Sequence, residues 1–395
     1  MVLLLPKVQR MFNKTVKDIT IIVSFVLVFT FLIWLPHLLT LPNFWGLNFS
    51  NGFNTIFRNF DGLEYIVIAK TWYRPELIAG IPQSLPANYF ASHFPGFPIA
   101  IAIFAPIFGY LKSMLFVSLL FTIASTIAFY FLVRDFKLTT HPLTLSLIFL
   151  LLPARWVIVH SVGSPEPMFI FFVIMSLYFF MRYVVSDTRK VGVILLATLF
   201  ACLAQLVRPP GILLAISYGI YVLFTAYQKK SFTTVFQYIP FLLVPLTLIG
   251  VFILFSLSYG DFFAYFHSGD NIHLTFPPFQ IFNIDQYWVG TIWLEDIIYI
   301  FILELLAGLL LLKQKLYPLA FFLFTYLIAS MFVAHRDISR YTLPIAPLAI
   351  IAFEKILVSR EFKIVLGILA LAIYLYVQNY LLQNTAPIPD LSVFD

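Results

Sequence analysis

The sequence predicts an all-α fold, a polytopic bundle of transmembrane helices. Of its 395 residues, 61% are apolar and only 11% are charged, and the mean hydropathy is +0.96. A water-soluble domain of this length needs more polar side chains to cover its surface. Helices in a bilayer do not, because their lipid-facing sides are as apolar as a protein core.

Hydrophobic runs long enough to cross a bilayer are separated by short polar segments. The first run follows four basic residues and precedes no small-residue cleavage site, so we expect a retained signal anchor. The runs predict about eleven spans within a single membrane domain, residues 1–395. They are 19–38, 113–133, 141–160, 166–185, 191–207, 211–227, 235–258, 297–312, 316–334, 341–358 and 363–383.

The distribution of positive charge predicts which loops face the cytoplasm. If the N-terminus is inside and the proline-interrupted stretch 95–111 does not cross, most of the 24 Lys and Arg residues fall in inside loops. If 95–111 crossed, the later loops would invert and this bias would disappear. We therefore expect 39–112 to be the first extracytoplasmic loop, carrying interfacial helices. The net charge of +6 comes from these scattered clusters, which indicates membrane lipids and no nucleic acid as partners.

Most of the chain's isolated polar residues fall in segments that this topology puts outside. These are the loop 39–112, the corners 161–167 and 208–211, the loop 259–296 and the turn 335–341. The single cysteine, Cys202, lies in a hydrophobic run, which excludes an intrachain disulfide. We expect neither a metal site nor a tightly bound cofactor.

Two carboxylates in the first outer loop, Asp61 and Glu64, have two interpretations. Their spacing fits a capping box, in which Asp61 accepts backbone N–H bonds and Glu64 stands three residues into the helix. The alternative is a general base held at the membrane surface. The apolar residues around them favour an amphipathic interfacial helix in either case.

Several charged residues at outer helix ends are candidates for substrate binding. Arg208, Arg336 and Arg340 could be anchors that snorkel to the interface, or forks that bind a phosphate. Glu166 could be a favourable charge at a helix N-terminus or a ligand for sugar hydroxyls. His93, followed by a Pro-Gly-Phe-Pro turn, is a weaker candidate.

Five motifs in this order resemble those of the PIG-V-like mannosyltransferases of the GT-C superfamily. They are FDGLEYIVIAKTWY, HFPGFPIAI, SPEPMF, VRPPGILLA and SRYTLPIAPL. In the family's first pattern, W-D-x-x-H-[YF], Asp61 and Tyr65 match, while Phe60 replaces Trp and Glu64 replaces His. Glu166, the R-P-x-G residues beginning at Arg208, and the R-Y-x-x-P residues beginning at Arg340 match the later patterns.

The resemblance implies a membrane enzyme that takes a hexose, by analogy mannose, from a polyprenyl-phosphate carrier. It implies Asp61 as the catalytic base, an inverting displacement, and a glycan, lipid or protein acceptor at the extracytoplasmic face of the plasma membrane or endoplasmic reticulum. Its implied substrate-binding residues are Glu64, Tyr65, His93, Glu166, Arg208, Arg336, Arg340 and Tyr341.

Two other functions stay open at the level of the sequence. A transporter or flippase would be expected to place its polar residues near the bilayer midplane, often in two related halves; here they gather at one edge without evident duplication. The replacement of His by Glu64 leaves open a protein that keeps the GT-C fold without its activity.

Overall fold

The computed structural model describes residues 4–185, 190–231, 233–269, 274–290, 294–387 and 390–394. In these ranges the backbone forms α-helices and short 3-10 helices without any β-strand, so the all-α prediction is confirmed. The α-helices are α1 Leu4–Leu38, α2 Asn54–Phe57, α3 Gly62–Thr71, α4 Pro75–Ile78, α5 Gly96–Phe108, α6 Tyr110–Asp135, α7 Pro142–Leu151, α8 Ala154–His160, α9 Glu166–Val185, α10 Val191–Val207, α11 Ile212–Lys229, α12 Leu243–Tyr259, α13 Ala264–His267, α14 Glu295–Lys313, α15 Tyr317–Met331, α16 Ile338–Tyr341, α17 Ala346–Ala352, α18 Glu354–Leu357 and α19 Arg360–Gln383. The 3-10 helices are Ala87–Ser92, Pro209–Gly211, Thr233–Leu242, Gln280–Phe282, Leu343–Ile345 and Ser392–Phe394.

Long apolar helices indicate an integral membrane protein. In the described part of the chain, 6 helices are long and apolar enough to cross a bilayer, and the bent pair α7–α8 makes a seventh if it is one span. The predicted number of about eleven spans is not confirmed. Every predicted run lies on a helical segment, but α10 has 17 residues and α15 only 15.

The centre of the bundle is α9, which packs most extensively against α6 and α10. Polar side chains buried between these helices bond to neighbouring helices. Ser176 Oγ donates to the carbonyl of Ala197 at 2.9 Å and lies 2.7 Å from the hydroxyl of Tyr218. The Tyr218 ring stacks on Phe180 at 4.0 Å between centroids. Bonds of this kind satisfy polar groups that have no water partner in a bilayer.

The outer helices carry many exposed apolar side chains. On α12, Leu257 is 82% exposed, and on α19, Ile368 is 73% exposed. Exposed apolar surface on this scale is unstable in water, so its presence along whole helices agrees with a bilayer location.

Helix termini gather at one end of the bundle, the corner end, where α10 ends and α3, α9 and α11 begin. The first residue of α5 also lies there, because a Cβ on Gly96 would meet the carbonyl oxygen of Leu206 at 2.8 Å. Met114, in the second turn of α6, touches Gly163 just before α9. Since α5 begins and α6 starts at the same end, this packing supports an interfacial position for 95–111, which stays a prediction.

The opposite end of the bundle is basic. Four helices have a Lys or Arg in their last turn there: Arg134 of α6, Arg182 of α9, Lys229 of α11 and Lys313 of α14. Such residues interact favourably with the carbonyl end of a helix, and they are typical of the cytoplasmic side of a membrane protein.

We expect the basic end to face the cytoplasm. In a Cys202→Ala background, Lys137→Cys and Lys230→Cys should be shielded from an impermeant thiol reagent in intact cells, while Ser50→Cys and Asn88→Cys should react. All four positions are exposed in the fold, so reactivity reports the side of the membrane. Labelling of the first pair in intact cells would contradict this topology.

Candidate active site

Four charged side chains meet at the corner end. Arg340 donates from Nε to Glu166 Oε1 at 2.7 Å and from a terminal nitrogen to Asp61 Oδ2 at 3.1 Å. Arg208 donates to the same Oε1 of Glu166. Two guanidinium groups and two carboxylates therefore form one connected ionic cluster, in which Glu166 bridges both arginines and Arg340 bridges both acids.

Asp61 is positioned by the turn that precedes α3. Phe60 has a φ of 50°, in the left-handed region, and its ring lies 4.3 Å from the Arg340 guanidinium carbon. Asp61 is the N-cap residue of α3, but its side chain makes no capping hydrogen bond. The capping-box interpretation therefore does not describe this carboxylate, which bonds to Arg340 instead.

The carboxylate of Asp61 is both charged and reachable. Its side chain is 36% exposed. Burial raises its pKa, but the charge of Arg340, the charge of His93 and the hydrogen bond from Arg340 together outweigh burial and hold the pKa of Asp61 below its usual range. Asp61 is therefore ionised at neutral pH and can accept a proton.

Glu166, the first residue of α9, is fully buried, and each of its carboxylate oxygens accepts a hydrogen bond from another side chain. One carboxylate oxygen accepts from Arg208 and Arg340, and the other accepts from Ser164 Oγ. Ser164 is itself held by Ser118, whose Oγ accepts from its backbone N–H at 2.9 Å. The hypothesis of a sugar ligand at Glu166 stays untested, but both of its oxygens have protein partners.

The R-P-x-G corner fixes Arg208 at the end of α10. A Cβ on Gly211 would lie 2.4 Å from the Cα of Gln205, so only glycine lets the chain fold back this closely. Gly96 packs against Leu206 in the same way. The two glycines pack closely against the last turn of α10. Arg208 follows this turn, and 13% of its side chain is exposed.

Arg340 is held by residues that sequence reasoning missed. Its backbone N–H donates to the carbonyl of Asp337 at 2.8 Å, and the carboxylate of Asp337 pairs with Arg155. The Arg155 guanidinium lies 4.2 Å from the centroid of the Tyr380 ring. A lone arginine inside the hydrophobic run 141–160 is the signal that could have identified Arg155.

His93 and Tyr65 lie beside the cluster. Their rings meet edge to face at 4.8 Å, and His93 Nδ1 lies 2.7 Å from Ser92 Oγ. The hydroxyl of Tyr73 donates to the carbonyl of His93 at 2.7 Å. These bonds fix the turn before α5 against α3.

Three cavities meet at Tyr341, and each has a different character. An inner cavity of about 50 Å³ is lined by Asp61, Arg208 and His93 among others. An outer cavity of about 280 Å³ has a mostly polar lining that includes Asp61 and Arg340. A groove of about 360 Å³ is almost wholly apolar and runs between the Pro209–Gly211 corner, α12, α13 and α15.

The groove lies next to the inner cavity and reaches the protein surface. Phe94, Pro209 and Tyr265 line both spaces. At its rim, Phe266 is 55% and Leu274 is 68% exposed. An apolar groove that opens among exposed apolar side chains suits a ligand that stays in the lipid phase.

Two of the predicted substrate-binding residues lie apart from these cavities. Glu64 does not contribute to the lining of any of the three. Arg336 is exposed, with its guanidinium 6.0 Å from the Tyr287 ring. Tyr65, His93, Glu166, Arg208, Arg340 and Tyr341 are brought together around Asp61. Among the described residues, no group of His, Cys, Asp and Glu has the arrangement of a metal site.

Comparison with known families supports a glycosyltransferase. Residues 92–255 match the family model of dolichyl-phosphate-mannose-protein mannosyltransferase. This segment resembles a GT-C mannosyltransferase. The match covers less than half of the chain; it includes His93, Glu166 and Arg208 but neither Asp61 nor Arg340. No curated protein matches the chain, and the finer resemblance to PIG-V-like enzymes stays a prediction.

The ionic cluster predicts a stability effect at Glu166. Glu166→Gln keeps the shape but leaves two buried guanidiniums without their shared counter-charge, so we expect the free energy of unfolding to fall by about 3–5 kcal/mol. Ser164→Ala removes one hydrogen bond to the same carboxylate and should cost about 1–2 kcal/mol. Thermal unfolding of the purified variants measures both. Equal melting temperatures for the two variants would contradict the central role of Glu166.

Proposed function

We propose that the chain is a membrane glycosyltransferase that moves a hexose, by resemblance mannose, from a polyprenyl-phosphate carrier to an acceptor hydroxyl. The observation that carries this proposal is the meeting of three cavities at Tyr341. An apolar groove, a small ionic cavity and a polar cavity follow one another in the order that a lipid chain, a sugar phosphate and an acceptor require.

The donor would bind with its isoprenoid chain in the groove and its phosphate at Arg208. The groove is lined by apolar side chains and opens among exposed apolar residues, which suits a carrier that stays in the bilayer. Arg208 has one carboxylate partner, Glu166, whereas Arg340 is shared between two. Arg208 therefore has more of its five N–H donors left for a phosphate.

Asp61 would act as the base in a single displacement. It takes the proton of the acceptor hydroxyl while that oxygen forms a bond to the anomeric carbon. The bond from this carbon to the phosphate oxygen breaks, and its electron pair goes to the phosphate. Attack opposite the leaving group inverts the configuration at the anomeric carbon. Arg208 stabilises the charge that grows on the phosphate.

Arg340 would position Asp61 and keep it ionised. It lies between Asp61 and Glu166 and holds both carboxylates through separate nitrogens. Since a guanidinium is planar, this fork fixes the direction of the Asp61 carboxylate. A base held in one orientation needs little rearrangement in the transition state.

The reaction would take place on the extracytoplasmic side of the plasma membrane or endoplasmic reticulum. The cluster is at the corner end, and the basic last turns of α6, α9, α11 and α14 are at the other. Positive charge favours the cytoplasmic side, which leaves the corner end outside, where a glycan, lipid or protein acceptor would be met.

The base is tested by Asp61→Asn. Asparagine keeps the size of the side chain but cannot take the proton, so turnover should fall by about 10²–10⁴-fold while the melting temperature changes little. Transfer of labelled mannose from a polyprenyl-phosphate donor measures the rate in purified protein. Glu64→Gln is the matched control, because Glu64 lies outside the cavities and should keep most of its activity. Near-normal turnover of Asp61→Asn would contradict the assignment, as would loss of activity in Glu64→Gln alone.

The phosphate contact is tested at Arg208. Arg208→Ala should raise the donor KM and lower turnover, because a charge-assisted hydrogen bond to phosphate contributes about 1.5–3 kcal/mol. Arg208→Lys should restore only part of this loss, since lysine keeps the charge but not the fork. Arg336→Ala serves as the control for loss of an arginine at the same end and should leave the donor KM unchanged. If a folded Arg208→Ala variant keeps the wild-type donor KM, this residue does not bind the phosphate.

A further inference from the structure

A second apolar groove, of about 280 Å³, lies between α1, α8 and α19. Phe29 and Ile33 of α1 and Val157 of α8 line one side of it. The other side is a single face of α19 from Lys363 to Tyr374, because the lining residues of that helix recur every three or four positions. Its lining residues are distinct from those of the three cavities that meet at Tyr341. We call it the α1–α19 groove.

Hydrogen bonds join α1 to α19 at the limit of this groove nearest the corner end. Nε2 of His37 lies 3.0 Å from Oε1 of Gln378, and the side-chain nitrogen of Gln378 donates to the carbonyl of Ile33 at 2.8 Å. One turn earlier in α19, the hydroxyl of Tyr374 donates to the carbonyl of Leu32 at 3.4 Å. The two helices are therefore in contact beyond the groove and separate along it.

The α1–α19 groove extends from there toward the basic end. Lys363 precedes Gln378 by 15 residues of α19, which is a rise of about 22 Å. The part of α19 that lines the groove, 363–374, rises about 16 Å. The hydrocarbon core of a bilayer is about 30 Å thick, so the groove is as long as the acyl layer of one leaflet.

Two basic side chains stand at the end of the groove that is farthest from the corner end. Lys363 lines the groove, and Arg360 lies one turn earlier on the same face of α19; both are exposed. Glu361 lies between them in sequence but on another face of the helix. Arg360 and Lys363 are within the first four residues of α19, where the helix dipole disfavours cations and favours an anion. An anion bound there would offset the unfavourable position of both charges.

We propose that the α1–α19 groove binds one acyl chain of an anionic phospholipid from the leaflet at the basic end, with the lipid phosphate at Lys363 and Arg360. The apolar lining suits the chain, and the length of the groove matches one leaflet. A zwitterionic phospholipid offers the same chain, but its cationic headgroup cancels the charge of its phosphate. The two basic residues therefore predict a preference for anionic lipid. This site does not depend on the proposed function, because it is at the other end of the bundle from Asp61.

The first test fills the groove. Gly367 lines it, and a Cβ on Gly367 would meet no atom of the described residues within 4 Å, so Gly367→Phe should enter the groove without displacing a neighbour. Native mass spectrometry of the purified protein in neutral detergent, titrated with phosphatidylglycerol, gives the affinity for the first bound lipid. This affinity should fall about tenfold or more, because two CH₂ groups left unburied already weaken binding by that factor. Gly250→Phe, at an exposed glycine of α12 that is equally open, is the control.

The second test removes the charge. Lys363→Gln should lower the affinity for phosphatidylglycerol about five-fold, the contribution of one basic side chain near an anionic lipid surface, and leave the affinity for phosphatidylcholine unchanged. Lys313→Gln removes another exposed lysine at the basic end and should change neither affinity. Both substitutions are on the surface, so the variants should fold, and their melting temperatures without lipid check this.

Three results would overturn the proposal. Equal affinity of the wild-type protein for phosphatidylglycerol and phosphatidylcholine would show that the basic residues do not select an anionic headgroup. Unchanged lipid affinity in a folded Gly367→Phe variant would place the bound lipid elsewhere on the surface. A polyprenyl phosphate that displaces phosphatidylglycerol, and whose own binding is lost in Gly367→Phe, would assign the groove to a lipid carrier instead.

Discussion

The buried carboxylate of Glu166 is the interaction on which the corner end depends. Burying a charge costs several kcal/mol unless opposite charges and hydrogen bonds compensate it. Here compensation comes from Arg208, Arg340 and Ser164, which approach from three different parts of the chain. The need to pair one carboxylate therefore fixes the relative positions of α9, the α10–α11 corner and α16.

The same cluster orients the reactive end of the site. Asp61 is held by Arg340, which is itself held by Glu166, so the proposed base is linked to the proposed phosphate ligand Arg208 through two ion pairs. A site whose charges are already in place loses little energy to reorganisation during reaction. Desolvation of these four charges makes the free energy of folding less favourable, because all four lie together at the edge of a membrane protein.

Much of the fold could be predicted from hydrophobic pattern, and part of the site from motifs. The runs of apolar residues correspond to the helices because a bilayer enforces backbone hydrogen bonding within each segment.

Asp61, Arg208 and Arg340 were identifiable as charges at helix ends. Their pairing was not, since Arg340 is 174 residues from Glu166 and 279 from Asp61, and local spacing carries no information about such contacts. For the same reason the support from Arg155 escaped prediction. The number of spans also depends on how helices as short as α15 sit in the bilayer, which composition alone does not determine.

The proposed transfer can be followed through the fate of the sugar on a labelled donor. Purified protein in lipid vesicles would be incubated with polyprenyl-phosphate mannose and a set of acceptors that carry a free hydroxyl on a sugar, a lipid or a peptide, and the anomeric configuration of the product determined by NMR spectroscopy. A single displacement at Asp61 predicts a glycoside whose configuration is inverted relative to the donor. A product with retained configuration would contradict the single displacement at Asp61, and a donor that stays intact in the presence of folded protein would contradict the transferase function itself.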